Sequence, residues 1–377
     1  MYKTLIEKID FKHLKKLNPE QRLEKIETEV KEIARKEKLI ITEKKISSVA
    51  EEIYLDSFEF GPISPLIEDD EVTEIMINHH HEVYVEKNSC LVKTGICFRD
   101  NAHLRNIIDK ILSPLGLRVD ESSPMVDARL KNGSRINVVI SPVSIEPVVV
   151  TIRKFRQNIM GIKDLVDLGM LDADIADFLK RHVRRKANII ISGGTSTGKT
   201  TLLNVLSNFI SPAERVITIE DTLELKLNIP HVIRLESKPP NIEGRGAVTI
   251  RQLVKNSLRM RPDRIIVGEI RGPEAIDVLQ AMNTGHNGSL STLHANSSVD
   301  MLSRLETLLL INNLNLTPSS VKRIIASSLD LVVHLEKREK KKKVVTISRI
   351  FFSPERGNLN IEDVYSCEGI NKLTECE

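Results

Sequence analysis

One short stretch carries chemistry that can be named from residue types alone. Gly193-Gly194-Thr195-Ser196-Thr197-Gly198-Lys199-Thr200 fits the spacing G-x-x-x-x-G-K-[ST], and Thr201 follows it. Glycines at its ends let backbone N–H groups turn inward around phosphate oxygens. The N-terminus of the helix that follows adds unpaired amides and a favourable dipole. Lys199 should then reach β- and γ-phosphates, and the Thr200 hydroxyl should ligate Mg²⁺. The flanks fit: Asn188–Ser192 reads as a buried strand and Thr200–Phe209 as a helix.

A loop of this kind says nucleotide, not what is done with it. Two apolar runs end in acids: Arg215-Val216-Ile217-Thr218-Ile219-Glu220 and Ile265-Ile266-Val267-Gly268-Glu269. In parallel sheets ligands lie at the carboxyl ends of strands, so Glu220 and Glu269 could face one γ-phosphate and its water. The second run lacks the Asp that usually closes such a strand, which leaves Glu269 as its carboxylate. His286 and His294 bracket a third short strand. Near a phosphate loop, either could act as a polar sensor of the γ-phosphate.

Those residues need elements to hold them. From Ile162 to His334 helices alternate with Ile/Val strands, the pattern of a mainly parallel α/β sheet. Leu66 to Phe155 reads as short strands around one helix, Asn101–Leu115, with an Asn132-Gly133 hairpin turn, hence an antiparallel α+β domain. Residues 1–60 read as charged helices; Leu23, Ile26, Val30 and Ile33 form one apolar stripe and a second helix runs from Glu43 to Phe58. Gly61-Pro62 and Ser64-Pro65 should break helical structure. The division expected is therefore 1–60 extension, 61–156 α+β domain, 157–161 linker and 162–377 α/β domain ending in a β-hairpin. Lys337 to Lys343, with a local charge of +5, should be the solvated tip of that hairpin. His79-His80-His81 should occupy a turn; neighbours on an extended chain point opposite ways, which argues for exposure over a ligand set.

Composition narrows the classes. The 377 residues include 55 Lys+Arg and 52 Asp+Glu, a net charge of +3, with 41 % apolar residues, 3 % aromatics and no Trp. That is globular, with an Ile/Leu/Val core, no global pull toward nucleic acid and few platforms for stacking bases. None of Cys90, Cys97, Cys367 and Cys376 lies in a C-x-x-C pair, so the cysteines indicate neither a zinc site nor a redox pair. No apolar run approaches the roughly 20 residues that span a bilayer. A cytoplasmic protein, held at a membrane only through partners, is expected.

Together these motifs resemble the secretion-ATPase superfamily of type II, type IV and pilus motors, and most of all the CpaF family of Tad/Flp pilus assembly ATPases. The resemblance rests on the loop Gly193–Thr201, the acidic box Ile219–Glu224, the strand box Arg259–Arg271 and the histidine box Thr284–His294, and runs from roughly Ser64 to Tyr365. It implies a RecA-like P-loop core, a smaller PAS-like α+β domain and a hexameric ring, with each ATP site between the two domains near a subunit boundary. It also implies ATP and Mg²⁺ as cofactors, Glu269 orienting water and helping to hold Mg²⁺, and Glu220 assisting. Arg135 and Arg153 match positions that clamp the nucleotide; Arg245, Arg259 and Arg261 are candidates to reach a neighbour's γ-phosphate. The partner would be an inner-membrane platform protein, and the work assembly or retraction of a pilus. A type IV secretion motor, a RecA-like nucleic-acid motor and a nucleotide-gated scaffold remain alternatives. The four-cysteine zinc module of many relatives is absent, residues 1–60 match poorly, and the Lys-rich tip replaces a shorter turn.

Overall fold

A computed structural model describes residue 9 and residues 11–37, 41–87, 90–154, 161–240, 245–312, 316–338, 341–353 and 358–367. Most of the expected linker, the two outermost residues of the Lys-rich tip and Cys376 lie outside them. The chain divides into two compact units, Met1–Arg156 and Gln157–Glu377.

In the first unit the helix Pro19–Lys36 opens on a capping box, with Asn18 and Gln21 each accepting from the other's backbone N–H. Its stripe buries Ile26, Val30 and Ile33 against Ile46, Val49 and Ile53 of the helix Glu43–Phe58. That second helix is tied down. Asp56 Oδ2 lies 3.0 Å from Arg99 Nη2 and 2.9 Å from His103 Nε2, and Lys110 Nζ donates to the Asp56 carbonyl at 2.7 Å. Burial pulls the Lys110 amine down to about 8. The charged extension is thus fastened to the α+β fold through the helix Asn101–Leu112. Gly61-Pro62 and Ser64-Pro65 do not simply interrupt helix. Each opens a short new helical turn, Gly61–Ile63 and Ser64–Glu68. Proline is favoured at a first helical position because its missing N–H has no partner there.

Six strands follow: β1 (Val72–His79), β2 (Glu82–Lys87), β3 (Cys90–Lys93), β4 (Met125–Arg129), β5 (Arg135–Ile140) and β6 (Val148–Arg153). They form one antiparallel sheet in the order β3-β2-β1-β6-β5-β4. The Asn-Gly turn sits between β4 and β5, where Asn132 Oδ1 accepts from Ser134 N at 3.0 Å and Gly133 takes φ +88. The three histidines sit at the β1–β2 turn, but they do not diverge. His80 and His81 have left the extended strand, a bulge falls between Ile77 and His79, and the rings gather with centroids 4.1–4.8 Å apart. Alternation holds only along a strand, and the turn abolishes it.

The second unit carries β7 (Ile189–Gly193), β8 (Val216–Glu220), β9 (Val232–Glu236), β10 (Arg264–Val267), β11 (Leu290–His294), β12 (Leu331–Arg338), β13 (Lys341–Ser353) and β14 (Asn358–Ser366). Their order is β14-β13-β12-β7-β11-β10-β8-β9. From β12 to β9 all pairings are parallel; β13 and β14 are antiparallel additions. Helices cover both faces. Along β7, Ile189 and Ile191 enter one apolar cluster and Ile190 the other. A strand buried on both faces reads as a continuous apolar run. The third strand of the C-terminal ribbon, β14, was not expected. Its Asn-Leu-Asn-Ile-Glu-Asp-Val pattern is polar enough to pass for loop, and it is held by thirteen-residue β13, bulged between Ile347 and Ser348.

Candidate nucleotide site

The loop that follows β7 is shaped by close approach. A Cβ on Gly193 would sit 2.5 Å from the Leu335 carbonyl oxygen and 2.7 Å from Thr197 Oγ1, so only glycine fits. Gly198 at φ +96 then swings the chain into the helix Lys199–Ser207. Between them Ser196 holds φ +57, unusual for a non-glycine residue. Thr197 Oγ1 donates to the Gly194 carbonyl at 3.0 Å. Thr195 and Ser196 are exposed, and Thr200 and Thr201 lie half-buried in the helix's first turn. Lys199 is only 7 % exposed, and its ammonium donates to the carbonyls of Gly193 at 3.0 Å and Gly194 at 2.7 Å. First-turn amides, a helix dipole and a cation held within one loop make an anion cradle.

The strand register brings the acids to the same edge. His294 pairs with Gly193, and Val267 pairs with both Ile219 and Ser291, so β7, β8, β10 and β11 end side by side. His294 Nε2 lies 3.3 Å from Lys199 Nζ and 3.4 Å from Glu269 Oε1. One ring nitrogen cannot accept from lysine and donate to carboxylate at once, so its tautomer selects the partner. Burial, then the Lys199 charge, lowers the His294 pKa, which keeps the ring neutral. Glu269 Oε2 takes a 2.6 Å bond from Arg271 Nη2, and Arg271 Nη1 reaches Asp221 at 3.4 Å. Close contacts therefore line up Lys199, His294, Glu269, Arg271 and Asp221, with His294 Nε2 hydrogen-bonding to only one of its two neighbours at a time.

Glu220 is different. It is 3 % exposed, and its Oε2 accepts from Glu224 N at 2.7 Å and Leu225 N at 2.8 Å. Its Oε1 is buried without a partner. Burial pushes the carboxyl up to about 7, against the pull of the two amides. Its stem packs on Gly268, whose Cβ would meet Glu220 Cγ at 3.1 Å. A carboxyl titrating near neutrality is suited to take or hold a proton. The unpartnered Glu220 oxygen belongs to the side chain packed on Gly268, the residue before Glu269, and oxygen donors of this kind together with the Lys199 loop suit Mg²⁺ and a phosphate chain.

Other expected site residues lie elsewhere. His286 is at the amino-terminal end of β11, the far end of the strand from His294, with its Nδ1 buried and unpartnered. Arg259 and Arg261, both exposed, precede β10 and so lie on the amino-terminal edge, opposite their own loop. Arg245, also exposed, sits in the connection that leaves the carboxyl end of β9. That connection is pinned by a Lys238–Val248 bridge, with Ser237 Oγ 3.0 Å from Asp221 Oδ1. In the first unit Arg135 and Arg153 are direct cross-strand partners, and Arg129 pairs with Arg135 on the other side. Arg135 bonds Asp127 at 2.9 Å, and Arg153 lies 3.8 Å from Glu74. Like charges set opposite one another repel, and Asp127 and Glu74 offset that repulsion within the sheet.

Sequence reasoning missed three features. Arg271 stood inside a quoted box without a role; its spacing two residues from Glu269 was the available signal. The Ser192 hydroxyl and His334 Nδ1 meet at 2.8 Å behind the loop, with burial lowering the His334 pKa. The Lys-rich ribbon is not wholly solvated either, because the Lys342 stem lies against Gly198, with its Cδ 3.4 Å from where a Cβ would stand.

The chain is similar to known proteins. A putative conjugal transfer protein of Mycobacterium tuberculosis is 33 % identical over 73 % of this chain and 79 % of its own length. The type IV secretion system protein PtlH of Bordetella pertussis is 33 % identical over 74 % of this chain and 90 % of its own. The solved pilus retraction motor PilT with bound ADP superimposes with a TM-score of 0.55 at 18 % identity, covering 81 % of this chain and 83 % of its own; that likeness concerns fold, a RecA-like α/β core. The family model described as type II/IV secretion system protein matches residues 56–368, and this chain is a member of that family.

Proposed function

We propose that the chain is an ATP-hydrolysing motor that works as a ring, of six subunits by the resemblance, and drives transport or pilus assembly through a membrane platform. The observation that carries this reading is Glu269, held between His294 and Arg271 on the strand edge that also bears Lys199. ATP would lie on the Gly193–Thr201 loop. Lys199 would exchange its carbonyl partners for β- and γ-phosphate oxygens, and the Thr200 hydroxyl and Glu269 would hold Mg²⁺. Mg²⁺, when bound, offsets charge on the phosphates. Glu269 would orient the attacking water, with Glu220 taking its proton at neutral pH. His294, neutral and touching both Lys199 and Glu269, would report the γ-phosphate to the carboxylate. Arginines fixed around phosphates in a partly dry site act more strongly than in water. By the resemblance, Arg135 and Arg153 would clamp a nucleotide, and an arginine of a neighbouring subunit would complete the site.

Two platforms fit. A Tad/Flp-type pilus is the first, on the motif resemblance. A type IV secretion machine moving protein or DNA-protein substrates is the second, favoured by relatives at 33 % identity named for conjugal transfer and type IV secretion. A nucleic-acid motor is disfavoured by the +3 charge and 3 % aromatics. Among the described residues no helix is long and apolar enough to cross a membrane, so force would pass through a docked partner at the inner face of the cell membrane.

Phosphate release and ATP affinity, measured together on two variants, test the site. Lys199→Ala should lose nearly all turnover with its melting temperature kept. Glu269→Gln should bind ATP and turn over at least about a hundredfold more slowly, since shape survives and charge does not. Activity of Lys199→Ala within about threefold of wild type would end the assignment, because positioning and charge carry most of phosphoryl transfer. Stimulation by cytoplasmic domains of a pilus platform or of a secretion channel then separates the two platforms.

A further inference from the structure

We infer that His79, His80 and His81 form a binding site for one divalent transition-metal ion of the zinc, nickel or copper kind. The proposal is independent of the nucleotide site. One nitrogen from each ring lies within 4.8 Å of the others, close enough for small ring rotations to bring all three onto one ion. The gathering follows from backbone. His79 ends β1 opposite Glu82, and the bulge before it resets which way its side chain points. His80 and His81 make the two-residue turn, whose carbonyl side is fixed by Phe98 N donating to His80 O at 2.6 Å.

The neighbours decide which nitrogens are free. His79 Nε2 lies 3.4 Å from Glu146 Oε2, so the proton belongs there and faces the carboxylate. That leaves a lone pair on His79 Nδ1, which is buried and has no hydrogen-bond partner. His80 Nδ1 lies 2.9 Å from Asn101 Oδ1, an acceptor, so His80 Nε2 carries the lone pair. Metal-ligating histidines commonly donate their other N–H to a carboxylate or carbonyl in this way, which fixes tautomer and ring. Two of the three rings thus already hold the tautomer of a ligand, and the buried His79 Nδ1 has no hydrogen-bond partner. His81 is exposed and supplies the third ligand at the solvent side.

Ligand chemistry sets the class of ion. Imidazole suits zinc, nickel and copper, whereas magnesium and calcium require oxygen. Three nitrogens leave a further coordination position open toward solvent, unlike a closed structural site. An ion here would tie the end of β1 to the turn and, through Asn101 and Glu146, to the helix Asn101–Leu112 and the connection before β6.

The test uses the full untagged chain, since an added histidine tag would bind the same ions. Equilibrium dialysis and calorimetry with zinc or nickel sulfate should give one equivalent bound at micromolar affinity, and magnesium none. Zinc should raise the melting temperature in the manner of any ligand that binds only the folded state. Single His79→Gln, His80→Gln and His81→Gln variants should each lose that site. Glu146→Gln, which keeps all three ligands, should weaken it by about 10–100-fold, the usual effect of an outer partner. His286→Gln and a Cys90→Ser/Cys97→Ser double variant should leave it unchanged. Equal melting temperatures of variants and wild type in chelator guard against misfolding; if one variant melts early, the remaining two ligands and Glu146→Gln decide. Absence of stoichiometric binding at about 100 µM zinc, or binding indifferent to the histidine variants, overturns the proposal. So does an unchanged affinity in Glu146→Gln.

Discussion

Glu220 concentrates the residue-scale lesson. Its carboxyl is raised from 4.5 to about 7 because burial disfavours the charge. The folded state then holds the proton more tightly than the unfolded chain does. Its contribution to stability is full below about 4.5 and is lost as pH rises through about 7. Glu220→Gln removes the charge and keeps an acceptor for the Leu225 and Glu224 amides. The variant should therefore gain on wild type between pH 5 and pH 8, by at most about 3 kcal/mol at the upper end. Melting temperatures at both pH values check this; a difference that stays constant or reverses would mean Glu220 is ionised in the fold. Motif spacing made the places of the Gly193–Thr201 loop, Glu220 and Glu269 at or just past strand ends legible in the sequence. The network through Arg271 was not legible, because which atom of a guanidinium meets which carboxylate depends on side-chain directions that no spacing encodes.

At the scale of elements the alternation of helices and Ile/Val runs revealed the parallel sheet. Strand ends and the polar β14 stayed hidden, because ladder partners rather than local preference hold them. Arg264, first residue of β10, illustrates the cost of such assembly. It is fully buried, bonds Glu214 through Nε at 2.8 Å and Nη2 at 2.9 Å, and donates to the Val183 carbonyl at 2.7 Å. Its guanidinium holds the Glu214 carboxyl at about 2. That depressed value gives stability present above about 4.5 and lost as pH falls toward 2. Arg264→Leu leaves Glu214 with Lys186 alone, 3.2 Å away, and should destabilise the C-terminal unit by up to about 3–5 kcal/mol. The gap from wild type should narrow as pH is lowered from 6 to about 3, because Glu214 of the unfolded chain takes up a proton there while the arginine-paired carboxyl of folded wild type does not, so wild type loses stability that the variant never had. Denaturant melts across that range check it, and a pH-independent gap would assign the loss to packing alone.

For the whole molecule, the resemblance implied a shared site, and the fold sharpens which arginines to test. Arg259 and Arg261 stand on the sheet edge opposite their own phosphate loop, so any phosphate they meet belongs to another chain. Arg245 stands on the same edge as Glu220. Mixing an Arg259→Ala chain with a Lys199→Ala chain, each inactive alone, should restore part of the hydrolysis rate, because a mixed interface can pair an intact loop with an intact arginine. Mass measurement with ATP should give a ring. No recovery in the mixture, alongside a wild-type rate that still depends on protein concentration, would move the role to Arg245. A monomer fully active at nanomolar concentration would refute sharing.

The C-terminal ribbon has one more consequence. In it Lys337 faces Lys342 and Arg338 faces Lys341, like charges set directly across a ladder. Such pairs loosen a ribbon, and dissolved salt relieves them because its screening length is about 10 Å at 0.1 M. Lys342 is also the residue whose stem rests on Gly198. Rising ionic strength should therefore favour the paired ribbon, whose Lys342 stem covers Gly198, even as it weakens ordinary attraction between the loop and an anion. The two tendencies oppose, so the loop's hold on its ligand should vary less with salt than its charges alone would dictate.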